Sequence, residues 1–141
     1  MITSPGYPGN YPDDTACEWL ITSQPGSKIT LEIKEFLTEE WMDIVEFYAG
    51  KDSSTNDMAG QLHGSLEGLE KTSFKSSENL LYIKFVADES TSEKGFVLHY
   101  ISSHDEGIVS VESSGVSCGN EKLVASCDLC PEMPHAVAAV I

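Results

Sequence analysis

Residues 2–21 have the sequence ITSPGYPGNYPDDTACEWLI, in which closely spaced turn residues lead directly into an aromatic and apolar strand. Pro5-Gly6, Pro8-Gly9-Asn10 and Pro12-Asp13-Asp14 each favour a tight turn, and none of them continues a helix. The chain is therefore expected to begin as an extended arm that wraps around the fold before it enters a long strand.

After this arm, the strongest periodic signal lies in residues 28–34. Ile29, Leu31 and Ile33 alternate there with polar residues, which is the period of a half-buried strand. Three further runs of β-branched and aromatic residues, bounded by Gly, Ser, Asp and Asn, indicate more strands, and helix signals are weak throughout. Because an alternating sheet buries its apolar face against another layer, we predict an all-β antiparallel sandwich. The three runs are Ile44–Tyr48, Leu80–Val86 and residues 96–101.

The character of the sequence changes after Tyr100. Residues 102–107 and 110–117 are polar, small and without period, which is typical of a linker. We predict one domain over residues 1–103, a polar linker over 104–117, and a short, irregular, incomplete cysteine-rich tail over 118–141. A chain of 141 residues has room for one domain with a substantial core and such a tail.

The composition excludes several classes of partner. The chain carries 8 lysines, 23 acidic residues and no arginine, for a formal net charge of -15. Such a surface repels nucleic acid and anionic lipid, and it lacks the guanidinium fork that contacts phosphates and base edges. The longest apolar run, residues 136–141, is too short to span a bilayer. Nucleic-acid binding and membrane insertion are therefore not expected, whereas cationic partners and hard metal ions are favoured.

Four segments in order resemble a CUB domain, the extracellular β-sandwich module of complement proteases, tolloid-type astacin proteases and many adhesion proteins. The first is Ser4-Pro-x-Tyr-Pro-x-x-Tyr-Pro, followed by Cys17-x-Trp-x-Ile. The second is the strand at residues 26–36, and the third is the D-x-x-x-x-x-x-G strand at residues 43–50. The closing pair, at residues 80–88 and 95–100, is the fourth. The resemblance covers about residues 1–102 and implies a jelly-roll arrangement of the sandwich.

The resemblance also implies a calcium site. Calcium-binding CUB domains use three acidic side chains, and the matching positions are Glu39, Asp43 and Asp88. A backbone carbonyl near Ser90 and water molecules would complete the six to eight oxygen ligands that Ca²⁺ takes. The loop from residue 39 to residue 43 is shorter than in calcium-binding members of the family, so two other acids stay open as alternatives to the first ligand. These are Glu35 and Glu40.

In the family, bound calcium orders the loops, and its carboxylates receive a lysine or arginine side chain from a partner. The resemblance therefore implies that Tyr7, Glu39, Asp43 and Asp88 form the partner-binding site, and that the partner is an extracellular protein with exposed Lys or Arg. A tyrosine of the opening arm, Tyr7 or Tyr11, is placed to bring its hydroxyl beside these acids.

Disulfide bonding is expected but not determined by the sequence. The four cysteines, Cys17, Cys118, Cys127 and Cys130, allow three pairings. The C-x-x-C spacing of the last two also occurs in redox and zinc sites, but without a second such pair it favours a disulfide. The resemblance instead pairs Cys17 with a cysteine upstream of residue 2. Because that cysteine and a signal peptide are not in the sequence, we expect an N-terminally truncated fragment of a secreted protein.

The second disulfide of the family is replaced in this chain. Trp41 and Met42 precede Asp43 where the family has a cysteine, and His63-Gly64 stands where the family has Cys-Gly. Both partners are changed together, as expected for the loss of one bond.

No pattern indicates catalysis, because the loop acids lack the features of a paired acid and base, and no Ser or Cys is marked as a nucleophile. We therefore expect a non-enzymatic, calcium-dependent binding module of a secreted mosaic protein. Two alternatives stay open: an accessory CUB domain of an astacin-like or trypsin-like protease whose catalytic domain lies outside this chain, and a calcium-independent carbohydrate-binding or structural sandwich.

Overall fold

The computed structural model describes residues 1–54, 58–104, 107–109, 111–118 and 138–139, with side chains described as far as residue 103. These residues form two β-sheets and a single 3₁₀ turn at Leu66–Gly68, which confirms the predicted all-β sandwich. The strands are β1 (Ile2–Thr3), β2 (Ala16–Ser23), β3 (Lys28–Leu37), β4 (Ile44–Tyr48), β5 (Met58–Leu62), β6 (Ser73–Lys75), β7 (Leu80–Val86), β8 (Gly95–His104), β9 (Gly107–Val109), β10 (Val111–Cys118) and β11 (Ala138–Ala139).

The two sheets are assembled from strands that are distant in sequence. One sheet has the order β1-β8-β3-β6, with β9 paired to β8, and the other has the order β11-β10-β2-β7-β4-β5. The pairings are antiparallel, except that β11 runs parallel to β10. Strand β1, which lies in the opening arm, pairs with β8. The first residues of the chain therefore lie beside a strand that is about 95 residues later in the sequence.

Aromatic side chains fill the core between the sheets. Phe96 packs edge to face against Trp19, with ring centroids 5.9 Å apart, and against Phe85 at 5.2 Å. Phe36 stacks on Phe96 at 6.1 Å. All four rings are buried. Such pairs contribute about 0.5–1.5 kcal/mol each beyond the apolar area that they bury.

A β-bulge near the end of β3 directs the chain into the loop that follows. The register with β8 shifts between Ile33 and Glu35, which leaves Lys34 as the extra residue. A bulge reverses the alternation of side chains, because two residues on one strand oppose one residue on the other. Phe36 and Thr38 are consequently buried, whereas an unbroken alternation would bury residues 35 and 37. The buried Thr38 then begins the loop that carries Glu39.

Strand β9 and all but the last residue of β10 lie within residues 104–117, for which the sequence predicts a linker. β10 pairs with β2, from Val111 opposite Ser23 to Cys118 opposite Cys17. Small polar and β-branched residues suit such a strand, because backbone hydrogen bonds to a neighbouring strand need no apolar periodicity. The division of the chain at residues 103 and 118 stays a prediction. Most of the cysteine-rich tail, including Cys127 and Cys130, lies outside the described residues.

In the part of the chain that the structure describes, no helix has the length and apolar character needed to cross a membrane.

Candidate metal centre

Three acidic side chains meet at one end of the sandwich. Glu39 follows β3, Asp43 precedes β4 and Asp88 follows β7. Strands β4 and β7 are antiparallel neighbours with Ile44 opposite Val86, so the start of one strand meets the end of the other. One carboxylate oxygen from each acid lies within 4.8 Å of those of the other two. The structure therefore brings together the three acids that the resemblance selects.

Asp43 is the buried centre of this cluster and is fully shielded from solvent. Its Oδ2 accepts a hydrogen bond from the Tyr11 hydroxyl at 2.5 Å, and its Oδ1 accepts one from the Asp88 backbone N–H at 2.9 Å. The Tyr11 oxygen in turn accepts a hydrogen bond from the Glu39 backbone N–H at 3.1 Å. Tyr11 thus links all three acidic segments, either directly or through Asp43.

Tyr11 is held in place by its own packing. Its ring is buried and contacts Phe85 edge to face, with centroids 5.0 Å apart. Burial, followed by the hydrogen bond to Asp43, raises the pKa of the Tyr11 hydroxyl well above its ordinary value. The hydroxyl therefore stays protonated and remains a donor to the carboxylate. The sequence placed either Tyr7 or Tyr11 beside the acids, and the structure places Tyr11 there.

The opening arm also positions the third acid. The backbone N–H of Asp14 donates to the Asp88 carbonyl at 2.6 Å, and the Ala87 N–H donates to the Thr15 carbonyl at 2.8 Å. Farther along the loop, the Tyr11 N–H donates to the Glu93 carbonyl at 3.0 Å. The loop that carries Asp88 is therefore fixed to the turn-rich arm rather than left free at the end of the sheet.

Thr38 is a positioning residue that sequence reasoning missed. Its hydroxyl donates to the Asp43 carbonyl at 2.9 Å and accepts from the Gly64 N–H at 3.1 Å, while its own N–H donates to the Gly64 carbonyl at 2.8 Å. These bonds fix both ends of the loop between β3 and β4. No sequence signal distinguishes Thr38 from any threonine at a strand end, because its role depends on the bulge at Lys34.

The charges of the cluster are incompletely compensated. Glu39 is half-buried, and its Oε2 is buried without a hydrogen-bond partner among the residues that the structure describes. Burial, together with the negative charges of Asp88 and Asp43, raises the pKa of the Glu39 carboxyl. Ionised carboxylates are hydrogen-bond acceptors only, so they cannot satisfy one another. Carboxylate oxygens are the hard ligands that Ca²⁺ prefers, and Glu39 Oε2 has no hydrogen bond among the described residues that would compete with metal binding.

The alternative acids have other surroundings. Glu35 Oε2 lies 2.7 Å from Lys94 Nζ on the surface, and that lysine also lies 5.5 Å from the centre of the Tyr7 ring. The hydrogen bond from Lys94 lowers the pKa of Glu35, and a hydrogen bond to Glu35 raises the pKa of Tyr7. Glu40 is exposed. The partner-binding role of Tyr7 stays a prediction, and so does metal ligation by the Ser90 carbonyl. The backbone N–H of Ser90 donates to Asp88 Oδ1 at 3.0 Å.

A ring contact stands where the resemblance would place the second disulfide. The Trp41 and His63 rings lie 4.1 Å apart between centroids, tilted by 40°. The His63 Nδ1 is buried and has no hydrogen-bond partner in the described part of the chain. Replacement of both cysteines has therefore left a packing contact that joins the loop before β4 to the end of β5.

The fold and this end of the molecule define a β-sandwich module with three converging acidic side chains on its loops. A family model for the CUB domain matches residues 1–100. The chain belongs to the CUB domain family.

Among curated relatives, the zinc metalloproteinase nas-39 of Caenorhabditis elegans is 38% identical over 106 residues, which cover 72% of this chain and 11% of that protein. Cubilin of Canis lupus familiaris is 34% identical over 124 residues, 81% of this chain and 3% of cubilin. The chain thus spans a small fraction of the length of these relatives. The crystal structure of the MASP-1 CUB2 domain bound to Ca²⁺ superimposes with a TM-score of 0.59 at 25% identity, covering 70% of this chain and 88% of that one.

Proposed function

We propose that this CUB domain is a non-enzymatic, extracellular protein-binding module whose ligand site depends on calcium held by Glu39, Asp43 and Asp88. The observation that carries the proposal is the convergence of three carboxylate oxygens within 4.8 Å, one of them on Glu39, which also has a buried oxygen without a hydrogen-bond partner among the described residues. The likeness to a solved CUB domain that contains Ca²⁺ supports it.

Calcium would neutralise the mutual repulsion of the three acids and hold their loops in one arrangement. Three side chains supply fewer than the six to eight oxygens that Ca²⁺ takes, so a backbone carbonyl near Ser90 and water molecules are expected to supply the rest. A lysine or arginine of the partner would then donate charge-assisted hydrogen bonds to carboxylates that are already ordered. Because the acceptors are ordered before binding, association would cost less conformational entropy.

CUB domains are non-catalytic modules, so any enzymatic activity of a longer protein would belong to another domain. The similarity to nas-39, which is named a zinc metalloproteinase, favours the second candidate function, an accessory module of a secreted protease. The similarity to cubilin favours a mosaic binding protein. Both candidates assign the same role to the acidic site of this chain.

Thermal unfolding with and without calcium tests the proposal. Millimolar Ca²⁺ should raise the Tm, because a ligand that binds the folded state at 100 times its Kd stabilises that state by about 2.7 kcal/mol. Asp43→Ala and Asp88→Ala should each abolish the rise. Glu78→Ala, which removes an exposed carboxylate just before the far end of β7, should leave the rise intact.

If calcium does not change the Tm of the unsubstituted chain, the calcium site is wrong, and the calcium-independent carbohydrate-binding or structural sandwich takes its place. If Glu78→Ala removes the rise as fully as Asp88→Ala does, calcium acts on the total negative charge rather than at this site.

A further inference from the structure

The loop that joins two of the three acids carries the most exposed large apolar side chain among the described residues. Trp41 is 70% exposed, and its neighbour Met42 is 53% exposed. Both lie between Glu39 and Asp43, which are parts of the candidate metal centre. Two adjacent apolar side chains that are exposed between acidic residues form an apolar patch with a polar rim, which is the kind of surface that marks an interaction site.

Trp41 combines a left-handed backbone conformation with a ring contact on one side. Its backbone has φ 70, in the left-handed region, where a bulky residue costs about 1–3 kcal/mol. The conformation is supported by the His63 ring beneath the indole and by the hydrogen bond from the Asp43 N–H to the Glu39 carbonyl at 3.2 Å. One face of the indole is thus supported, yet most of the side chain stays open to solvent. Tryptophan, together with tyrosine and arginine, is enriched among the few residues that dominate binding energy at protein interfaces.

The charge beside this loop identifies the class of partner. Trp41 and Met42 lie in the loop between Glu39 and Asp43, two members of the cluster of three carboxylates, and the chain has a formal net charge of -15. An anionic lipid surface would be repelled, and a second copy of this acidic chain would be disfavoured for the same reason. A basic side chain would be attracted to the acids, and its aliphatic stem or its apolar neighbours would lie against the indole.

We propose that Trp41 and Met42 extend the acidic site into a two-part docking surface, which selects a protein segment that carries a Lys or Arg next to an apolar side chain. The acids bind the cationic group, and Trp41 and Met42 bury the apolar neighbour. This inference rests on the proposed function, because calcium is needed to order the acids. It adds that the loop between Glu39 and Asp43 determines which residues are preferred beside the Lys or Arg of the partner.

The test uses the whole chain in saturating calcium and two synthetic peptides of equal length and charge. One peptide has a central lysine flanked by leucines, and the other has a lysine flanked by serines. Titration of the ¹⁵N-labelled chain should show about tenfold tighter binding of the leucine-flanked peptide, which is the effect of burying one leucine side chain. Trp41→Ala should remove most of this preference and leave the affinity for the serine-flanked peptide unchanged. Trp41→Phe should restore part of the preference.

Two further variants control for general effects. Met42→Ala should weaken the preference for leucine, whereas Met58→Ala should not, because Met58 is 48% exposed at the far end of the β4–β5 hairpin, opposite Tyr48. Trp41→Gly accepts φ 70 without strain and replaces Trp41→Ala if the latter unfolds.

The calcium-induced rise in Tm separates this inference from the proposed function. If the unsubstituted chain shows no rise, the proposed function fails. The proposal of a two-part docking surface is contradicted if calcium raises the Tm but the chain binds both peptides equally or binds neither. It is also overturned if Trp41→Ala retains the preference for leucine.

Discussion

The two ends of the sandwich satisfy buried polar groups in different ways. At the end opposite the acids, the buried Ser23 Oγ lies 2.5 Å from Ser27 Oγ, which also accepts from the Ser102 hydroxyl at 3.3 Å. Ser76 Oγ accepts from the Ile29 N–H at 2.8 Å. A hydroxyl is both a donor and an acceptor, so such a group of serines completes its hydrogen bonds within the fold.

The acidic end cannot be completed in this way. Asp43 has two donors, the Tyr11 hydroxyl and the Asp88 N–H, but Glu39 Oε2 has none among the described residues. Ionised carboxylates accept but do not donate, and like charges held close together repel. The serine end therefore completes its hydrogen bonds within the fold, whereas the acidic end keeps a buried acceptor, Glu39 Oε2, without a donor among the described residues.

The largest expected effect on stability comes from a disulfide bond near the acidic end of β2. Cys17 is fully buried, and its Cα is the register partner of the Cα of Cys118. Residues directly opposed in antiparallel strands are close enough for a disulfide. Of the three pairings that the sequence leaves open, we predict Cys17 with Cys118 in the oxidised chain. Cys118→Ser should then lower the free energy of unfolding by about 2–5 kcal/mol, measured by urea denaturation.

Peptide mapping of the denatured, non-reduced chain checks the pairing directly. Cys127→Ser serves as the matched control and should leave the link to Cys17 unchanged. Recovery of Cys17 bonded to Cys127 or Cys130 would contradict the prediction. It would also mean that no disulfide between β2 and β10 stabilises the acidic end of the sandwich.

A second prediction compares two variants, each of which lacks one hydroxyl group at one end of the sandwich. In the absence of calcium, Tyr11→Phe should destabilise the fold by about 2–3 kcal/mol, because it removes a hydrogen bond to a buried charge and leaves the Glu39 N–H without its acceptor. Ser23→Ala should cost about 1 kcal/mol, since Ser27 retains its bond to the Gln24 carbonyl. Chemical denaturation of both variants measures the difference. Equal losses would mean that the charge at the acidic end has no special cost.

The smallest effect concerns pH. The pKa of Glu39 is raised in the folded state, chiefly by burial and then by Asp88 and Asp43. Its stabilising contribution is therefore fully present below the ordinary carboxyl pKa of 4.5 and is lost as the pH rises through the raised value. Glu39→Gln should raise the Tm of the calcium-free protein at neutral pH, and the gain should disappear in acid.

A serine variant provides the reference for this pH dependence. Ser102→Ala, which changes the neutral end, should shift the Tm by the same amount at both pH values because no ionisable group is involved. With calcium present, Glu39→Gln should instead lower the Tm, since a metal ligand is lost. A gain from Glu39→Gln that persists in acid would show that repulsion among the acids is not its cause.

Much of the fold and most of the candidate site could be predicted from local pattern. The alternation of Ile29, Leu31 and Ile33 indicates a half-buried strand wherever it occurs, because the period of two is a property of the extended backbone. The acids at 39, 43 and 88 were selected by the resemblance to CUB domains, whose motifs place each of them at a strand end. Both signals are contained in short stretches of sequence, so neither requires knowledge of what lies opposite.

Only the tertiary structure decided the contacts between segments. The bulge at Lys34 turns Thr38 inward, and its position depends on the pairing of β3 with β8 rather than on residues near Lys34. Tyr11 rather than Tyr7 reaches Asp43, and Cys17 lies opposite Cys118, for the same reason. A sequence determines which face of a strand is apolar, whereas the neighbour across each face is set by packing among residues that are far apart in the chain.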